Sequence, residues 1–155
     1  MANPKRLTII ASKGTLDFAY PPLILATTAA TLGYEVTVFW TFYGLQVLRK
    51  ERDLKLSPLG NPAMPMPIPM PAFVQMLPGM EGLATLLMKQ KMVNQGVPSI
   101  DDLLQMAKES KVKMVACQMT VDLFGFKPED FIDGLEYAGA ARFFEVAENS
   151  MTLFI

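Results

Sequence analysis

Four short, nearly continuous apolar runs constrain this chain more than any other feature: residues 7–11 (LTIIA), 35–40 (EVTVFW), 112–117 (VKMVAC) and 151–155 (MTLFI). They are rich in Val, Ile and Phe and alternate only in part, which suits strands covered on both faces rather than strands with one face in water. A fifth, weaker strand is expected at 136–138. The segments between them read as helices, so the expected architecture is α/β. It would be a doubly wound, mostly parallel sheet of about five strands with helices on both faces. At 155 residues the chain fits a single domain spanning 1–155. In such sheets chemistry gathers beyond the carboxyl ends of the strands, so the loops there are the ones to read closely.

Local signals place the helices. Gly33 suits the C-terminal cap of a helix running from 21 or 22 to 32, and the Pro21-Pro22 pair argues for a separate turn over 15–20. Ser99 and Asp102 have capping-box spacing, and Ile100, Leu103, Leu104 and Ala107 then trace one apolar stripe. Lys108 and Lys111 lie where the helix dipole favours positive charge. Pro128-Glu129-Asp130 reads as the start of another helix, with acidic residues in its first turn.

One segment breaks this rhythm. A Pro/Met-rich insertion at about 57–80 carries Pro58, Pro62, Pro65, Pro67, Pro69, Pro71 and Pro78. Alternate prolines can neither continue a helix nor donate to a sheet, so an extended polyproline-like arm is expected. A helix over 72–95 should follow, with Phe73, Leu77, Met80, Leu83 or Ala84, and Leu87 at helical spacing. Methionine adapts to irregular gaps, so the plain reading is that the arm packs on the domain or on a neighbouring subunit. The sharper reading makes it a lid, or a docking surface for a partner or a membrane.

Composition removes much chemistry. The chain has no histidine, which excludes Ser-His and Cys-His nucleophile pairs and the usual zinc and copper sites. A single cysteine, Cys117, excludes an internal disulfide and every paired-cysteine motif. No cofactor and no metal is expected. Fourteen basic against 15 acidic residues give a net charge of −1, which offers nothing to neutralise a phosphate backbone, so no nucleic-acid partner is expected. The N-terminal MANPKRLTII is a poor secretory signal, and the longest apolar stretch, 18–32, is interrupted by two prolines and three threonines. A reduced, cytoplasmic protein is the expectation, with peripheral membrane contact through the Pro/Met segment as its variant.

Cys117 closes the third apolar run and is followed by the polar Gln118, Met119 and the polar Thr120, so the chain turns there at the carboxyl edge of the sheet. A thiol facing amides at such a turn is biased toward thiolate, whereas a buried free cysteine is ordinarily inert. Asp122 would oppose the thiolate if it lay close. The first strand also ends in a polar turn, Ser12-Lys13-Gly14-Thr15-Leu16-Asp17. Gly14 permits a tight bend, Ser12, Thr15 and nearby amides can bind an anion, and Lys13 can supply a positive charge if the first and third strands are adjacent. Neither GxGxxG nor GxxxxGK[ST] is present, so no dinucleotide or P-loop site is indicated. Asp17 and Asp122 read first as turn or cap residues. Trp40, Phe42 and Tyr43 serve equally as a pocket wall or as core.

SKGTLD after the first strand, EVTVFWTFYGL after the second, GNPAMPM, LPGM, GVPSIDDLL, ACQMTVDLFG and the closing AENSMTLFI together resemble the DsrE/DsrF-like family of sulfur-relay proteins, in its larger branch with an insertion after the second strand. The resemblance covers nearly the whole chain. It implies an α/β sandwich and assembly into trimers or hexamers. It also implies a cysteine that carries sulfur as a persulfide or thiosulfonate, matched by Cys117 in ACQM, with residues 12–17 as the companion loop. TusA-like or rhodanese-like sulfur carriers are the implied partners, with membrane-associated complexes further along. Some relatives have a second cysteine; this chain, with one, is confined to one-thiol chemistry. The competing expectations are a non-catalytic small-ligand-binding or assembly subunit with a silent cysteine and, behind it, a peroxide-reactive thiol.

Overall fold

Branched and aromatic side chains keep the apolar runs extended, and each forms a strand in the computed structural model, which describes residues 4–57, 73 and 77–155. The strands are β1 (Arg6–Ala11), β2 (Glu35–Trp40), β3 (Lys113–Cys117), β4 (Glu136–Ala138) and β5 (Met151–Phe154). They form one sheet in the order β4-β3-β2-β1-β5, and every pairing in it is parallel. The described helices are α1 (Leu16–Thr31), α2 (Met80–Asn94), α3 (Ile100–Glu109), α4 (Gln118–Phe124) and α5 (Ala140–Ala147), with 3-10 turns at Phe42–Leu48 and Pro128–Asp130. The doubly wound α/β expectation is met. The expected extended arm falls on residues outside those described.

The strand order makes the two faces of the sheet unequal. From β1 to β4 the chain steps one way across the sheet, and right-handed crossovers send the intervening helices to one face; the return to β5 sends α5 to the other. On the first face Ile9, Val38, Trp40 and Ala116 pack with Leu23, Ala26, Leu103, Leu104 and Ala107 in the main core. On the second, Phe39, Val115 and Cys117 form a small buried cluster closed by Ala138 and Phe143. The Phe39 and Phe143 rings meet edge to face at 5.9 Å. The Thr8 hydroxyl ties the same helix down through the Val146 carbonyl and the Ser150 hydroxyl.

Three helix boundaries differ from the sequence expectation. Helix α1 is continuous from Leu16 through Pro21 and Pro22 rather than starting at the prolines. The prolines forgo two backbone bonds near the amino end of the helix. Burial of Leu16, Ala19, Leu23 and Ala26 on the core and a bond from the Leu16 amide to the Lys55 carbonyl hold that first turn in place. Its other end follows expectation: Gly33, at φ 84°, is the left-handed residue of a closing turn in which the Gly33 and Tyr34 amides donate to Ala30 and Ala29. The helix expected over 72–95 is interrupted: Phe73 is helical, 77–79 form a turn with a left-handed Gly79, and α2 begins at Met80, while residues 72 and 74–76 lie outside those described. Of the residues at helical spacing, Ala84 is buried and Met80 packs on the main core, while Leu77, Leu83 and Leu87 are exposed. Pro128-Glu129-Asp130 forms a single 3-10 turn, not a helix. The Ser99–Asp102 capping box and the buried stripe of α3 are as expected.

Two glycines interlock the loops that leave β1 and β2. A Cβ on Gly14 would stand 2.1 Å from the Tyr43 carbonyl oxygen, and one on Gly44 would stand 2.2 Å from that of Ala11. The Thr41 amide donates to Ala11 and the Gly44 amide to Ser12. Both clashes are with backbone and cannot be relieved by a rotamer change. Gly44→Ala should therefore cost about 1–3 kcal/mol of stability in urea unfolding. Ser99→Ala, remote from these loops, should cost about 1 kcal/mol through the lost cap. A Gly44→Ala protein as stable as the parent would refute the interlock.

Candidate functional site

The site is built by register. Parallel pairing sets Trp40 opposite Ala116 and Cys117 opposite Ala138, so the first residue beyond β2, Thr41, comes beside the last residue of β3, Cys117. Side chains alternate across the sheet. Ala116 joins the main core on one face while Cys117 lies with Val115 and Phe39 on the other. The chain then enters α4, whose first turn carries Met119 and Thr120.

Thr120 is fully buried. Its Oγ1 accepts from the Phe42 amide at 3.2 Å and lies 3.3 Å from the Thr41 Oγ1. Phe42 has φ 46°, an uncommon conformation for a bulky side chain and one that costs backbone strain. The Cys117 side chain closes no capping bond on α4. Burial pushes the thiol up, but the Thr120 hydroxyl and amide, the Thr41 hydroxyl and the Met119 amide together outweigh it and hold the thiol below its ordinary value. The causes of that lowering are all hydrogen bonds; no charged side chain is among them.

Cys117 is at the carboxyl rim, as expected, but only 6% of its surface is exposed. Phe39, Val115, Ala138 and Phe143 pack around it. Gln118 and Met119, by contrast, are exposed, and the Gln118 amide donates to Asp122 at 2.7 Å. That bond makes the Asp122 carboxylate a partner of its own helix.

The β1 loop does not join the thiol. Strand β2 intervenes between β1 and β3, so the adjacency on which a role for Lys13 depended is absent, and the Lys13 ammonium sits over the Phe18 ring, 3.9 Å from its centroid. The Ser12 hydroxyl donates to the Ile155 carbonyl at 3.0 Å. Gly14 packs on the Tyr43 backbone. The Thr15 hydroxyl meets that of Ser57 at 3.2 Å. Asp17 accepts from the Ser57 amide and hydroxyl. Its burial pushes the carboxyl up, but those bonds, with the Thr15 hydroxyl, outweigh it and hold the carboxyl below its usual range. Residues 12–17 thus clamp the chain near residue 57 and support the Thr41 loop from behind.

The aromatic residues after β2 divide. Trp40 is fully buried in the main core, and its Nε1 has no hydrogen-bond partner among the described residues. Tyr43 is exposed and stacks on Phe124 at 6.0 Å, continuing through Phe126 to the buried Phe131. Sequence reading singled out Tyr43 but missed Thr41 and the continuation of the row through Phe124, Phe126 and Phe131. Thr41 was visible as the polar residue that ends the second apolar run, but only the strand order makes it a neighbour of Cys117.

A cavity of about 680 Å³ lined by Lys50, Lys108, Lys111, Lys113, Asp101 and Asp133 among others lies at the amino end of β3, away from the thiol. Among the described residues there is no group of three or more Cys, Asp or Glu side chains able to hold a metal, and no helix is long and apolar enough to cross a membrane.

Comparison with known proteins gives the following. The model of the DsrE/DsrF/DrsH-like family matches residues 3–154. The chain is 59% identical to the sulfur carrier protein DsrE2 of Allochromatium vinosum, over 97% of this chain and 98% of that one. It is 34% identical to YrkE of Bacillus subtilis, over 97% of each. Two solved structures share the fold at low identity. MTH1491 of Methanobacterium thermoautotrophicum has a TM-score of 0.57 at 11% identity over 97% of this chain and 99% of that one. The ychN protein of E. coli has 0.57 at 12% over 98% of each.

The direction of the thiol's shift gives a pH prediction. A lowered thiol pKa means thiolate persists to lower pH than in a free cysteine, so the rate of native alkylation by iodoacetamide should be half-maximal below about pH 8.5. Unfolding in urea should move the midpoint up to that value. Equal midpoints in both states would contradict the hydrogen-bonded environment.

Proposed function

The chain belongs to the DsrE/DsrF/DrsH-like family, and on that premise we propose that it is a sulfur carrier that holds sulfane sulfur on Cys117 and passes it to a thiol on a partner protein. The observation that carries this reading is a thiol at the carboxyl end of β3 held below its ordinary pKa by hydroxyl and amide donors. Membership supports it, as does the name of a 59% identical relative.

The chemistry needs no histidine. The Cys117 thiolate attacks the outer sulfur of a donor persulfide; the Cys117–sulfur bond forms, the donor S–S bond breaks, and the donor leaves as a thiolate with the bonding pair. An acceptor thiolate then attacks the outer sulfur of the Cys117 persulfide and releases the Cys117 thiolate. Neither step changes the total oxidation state, so neither calls for an electron acceptor. With a donor bearing –S–SO3− on its own sulfur, the Cys117 thiolate attacks the sulfur that carries the sulfonate, the donor S–S bond breaks, the donor leaves as a thiolate, and Cys117 is loaded with –S–SO3−. A single cysteine suffices, because the resolving thiol arrives on the partner.

The proposed partners are TusA-like or rhodanese-like carriers, met by a homo-oligomer, trimer or hexamer, in the cytoplasm. The Pro/Met segment is proposed as its contact with a membrane or a membrane-bound complex. The 6% exposure of Cys117 favours a second reading, a ligand-binding or assembly subunit with a silent thiol. Incubation with polysulfide or tetrathionate followed by intact-mass measurement separates the two. Wild type should gain sulfur and Cys117→Ser should gain none. Equal uptake by both, or uptake by neither, would remove the carrier reading.

A further inference from the structure

We propose that Thr120 and Thr41 are positioning residues for the sulfur of Cys117: a pair of hydroxyl donors that turn toward it when it becomes an anion and take the place of a cation in the site. This assignment rests on the reading of Cys117 as the sulfur-bearing thiol.

The argument starts from the bonding capacity of a buried hydroxyl, which has one proton to give and two lone pairs. Thr120 has no access to water, so its proton must go to a protein atom. One lone pair is occupied by the Phe42 amide at 3.2 Å, and the nearby Oγ1 of Thr41, at 3.3 Å, can give or receive. The two hydroxyls therefore form a short chain whose direction can reverse. While Cys117 is a neutral thiol its S–H can donate into that chain. Once the sulfur is anionic it can only accept, and both hydroxyls are free to donate to it, because the Phe42 amide continues to satisfy the Thr120 oxygen. A fixed amide donor could not serve both states in this way.

The surroundings leave this role to the threonines. On α4, Asp122 is paired with Gln118. On β4, Glu136 is paired with Arg142 of α5, which also bonds Glu145. Tyr137 on β4 reaches toward the Pro128 carbonyl at 3.5 Å. In the Phe42–Leu48 turn Tyr43 is stacked on Phe124, and Lys13 sits over Phe18. The strained Phe42 backbone supports the same conclusion, since its left-handed turn directs an amide at a threonine oxygen rather than at a backbone carbonyl.

The test is the pH profile of native alkylation of Cys117 by iodoacetamide, read beside thermal unfolding, in Thr120→Val, Thr120→Ser and Thr41→Val. Each valine should raise the midpoint by about one pH unit, and Thr120→Ser should keep the wild-type midpoint. Thr120→Val also strips the Phe42 amide of its acceptor and so lowers stability; Thr41→Val leaves that bond in place and carries the test if the first variant does not fold. Midpoints unchanged in folded valine variants, or shifted as far by serine as by valine, would overturn the proposal. Sulfur uptake is scored separately: a shifted midpoint with no uptake keeps the threonine role and discards the carrier reading, and uptake with unshifted midpoints does the reverse.

Discussion

The site depends on one pairing, the parallel register of β2 with β3 that sets Trp40 opposite Ala116. Parallel strands bring all their carboxyl ends to one rim, and this register brings Thr41, the residue after β2, beside Cys117, the last residue of β3. A slip of one residue would turn Cys117 to the opposite face, among the main-core side chains, and take Thr41 out of reach. Burial on both faces prevents the slip. Val38, Trp40 and Ala116 fill one side and Phe39, Val115 and Cys117 the other, so moving either strand would bury or expose a whole row at once.

The two faces contribute differently. The heavily packed side, under α1 and α3, gives stability, and the thin side, under α5, holds the thiol. Among the described residues that face is covered by one short helix, α5, which leaves a shallow cluster where a reactive group can be buried yet stay near the surface. The loops are stiffened from the other direction. Gly14 and Gly44 let two backbones approach more closely than any side chain would allow, and the clamp of Asp17 on Ser57 fixes the loop behind them. The strained Phe42 sits between these supports, which is where a left-handed bulky residue can be held.

The sulfur transfer proposed for this chain calls for neither histidine nor a cation beside the thiol. Transfer between sulfurs moves no proton in the bond-making step and has a good leaving group at each stage, so what the protein must supply is tolerance of a negative sulfur. Hydroxyl and amide donors supply that in a dry setting, where each hydrogen bond counts for more than it would in water. In the proposed carrier role, the small exposure of Cys117 would admit a partner's thiol only by a narrow approach.

The sequence alone determined where the strands lie, and in EVTVFW the apolar run does record burial on both faces. MTLFI carries the same signal, yet β5 lies at the sheet edge with Met151, Thr152 and Phe154 exposed. It also determined the Gly33 cap, the Ser99–Asp102 box and the rim position of Cys117, all set within a few residues. It misled where distant packing decides. Burial of Leu23 and Ala26 carries α1 through two prolines that local rules treat as a boundary, and a turn at 77–79 interrupts the helix that periodicity ran through Pro78. Which loops meet was beyond it: the 12–17 turn looked like the companion of the thiol, and strand order gave that place to Thr41 instead. Neighbours across a parallel sheet are separated by whole helices in the chain, so their identity is a property of topology, and only the tertiary structure decides it.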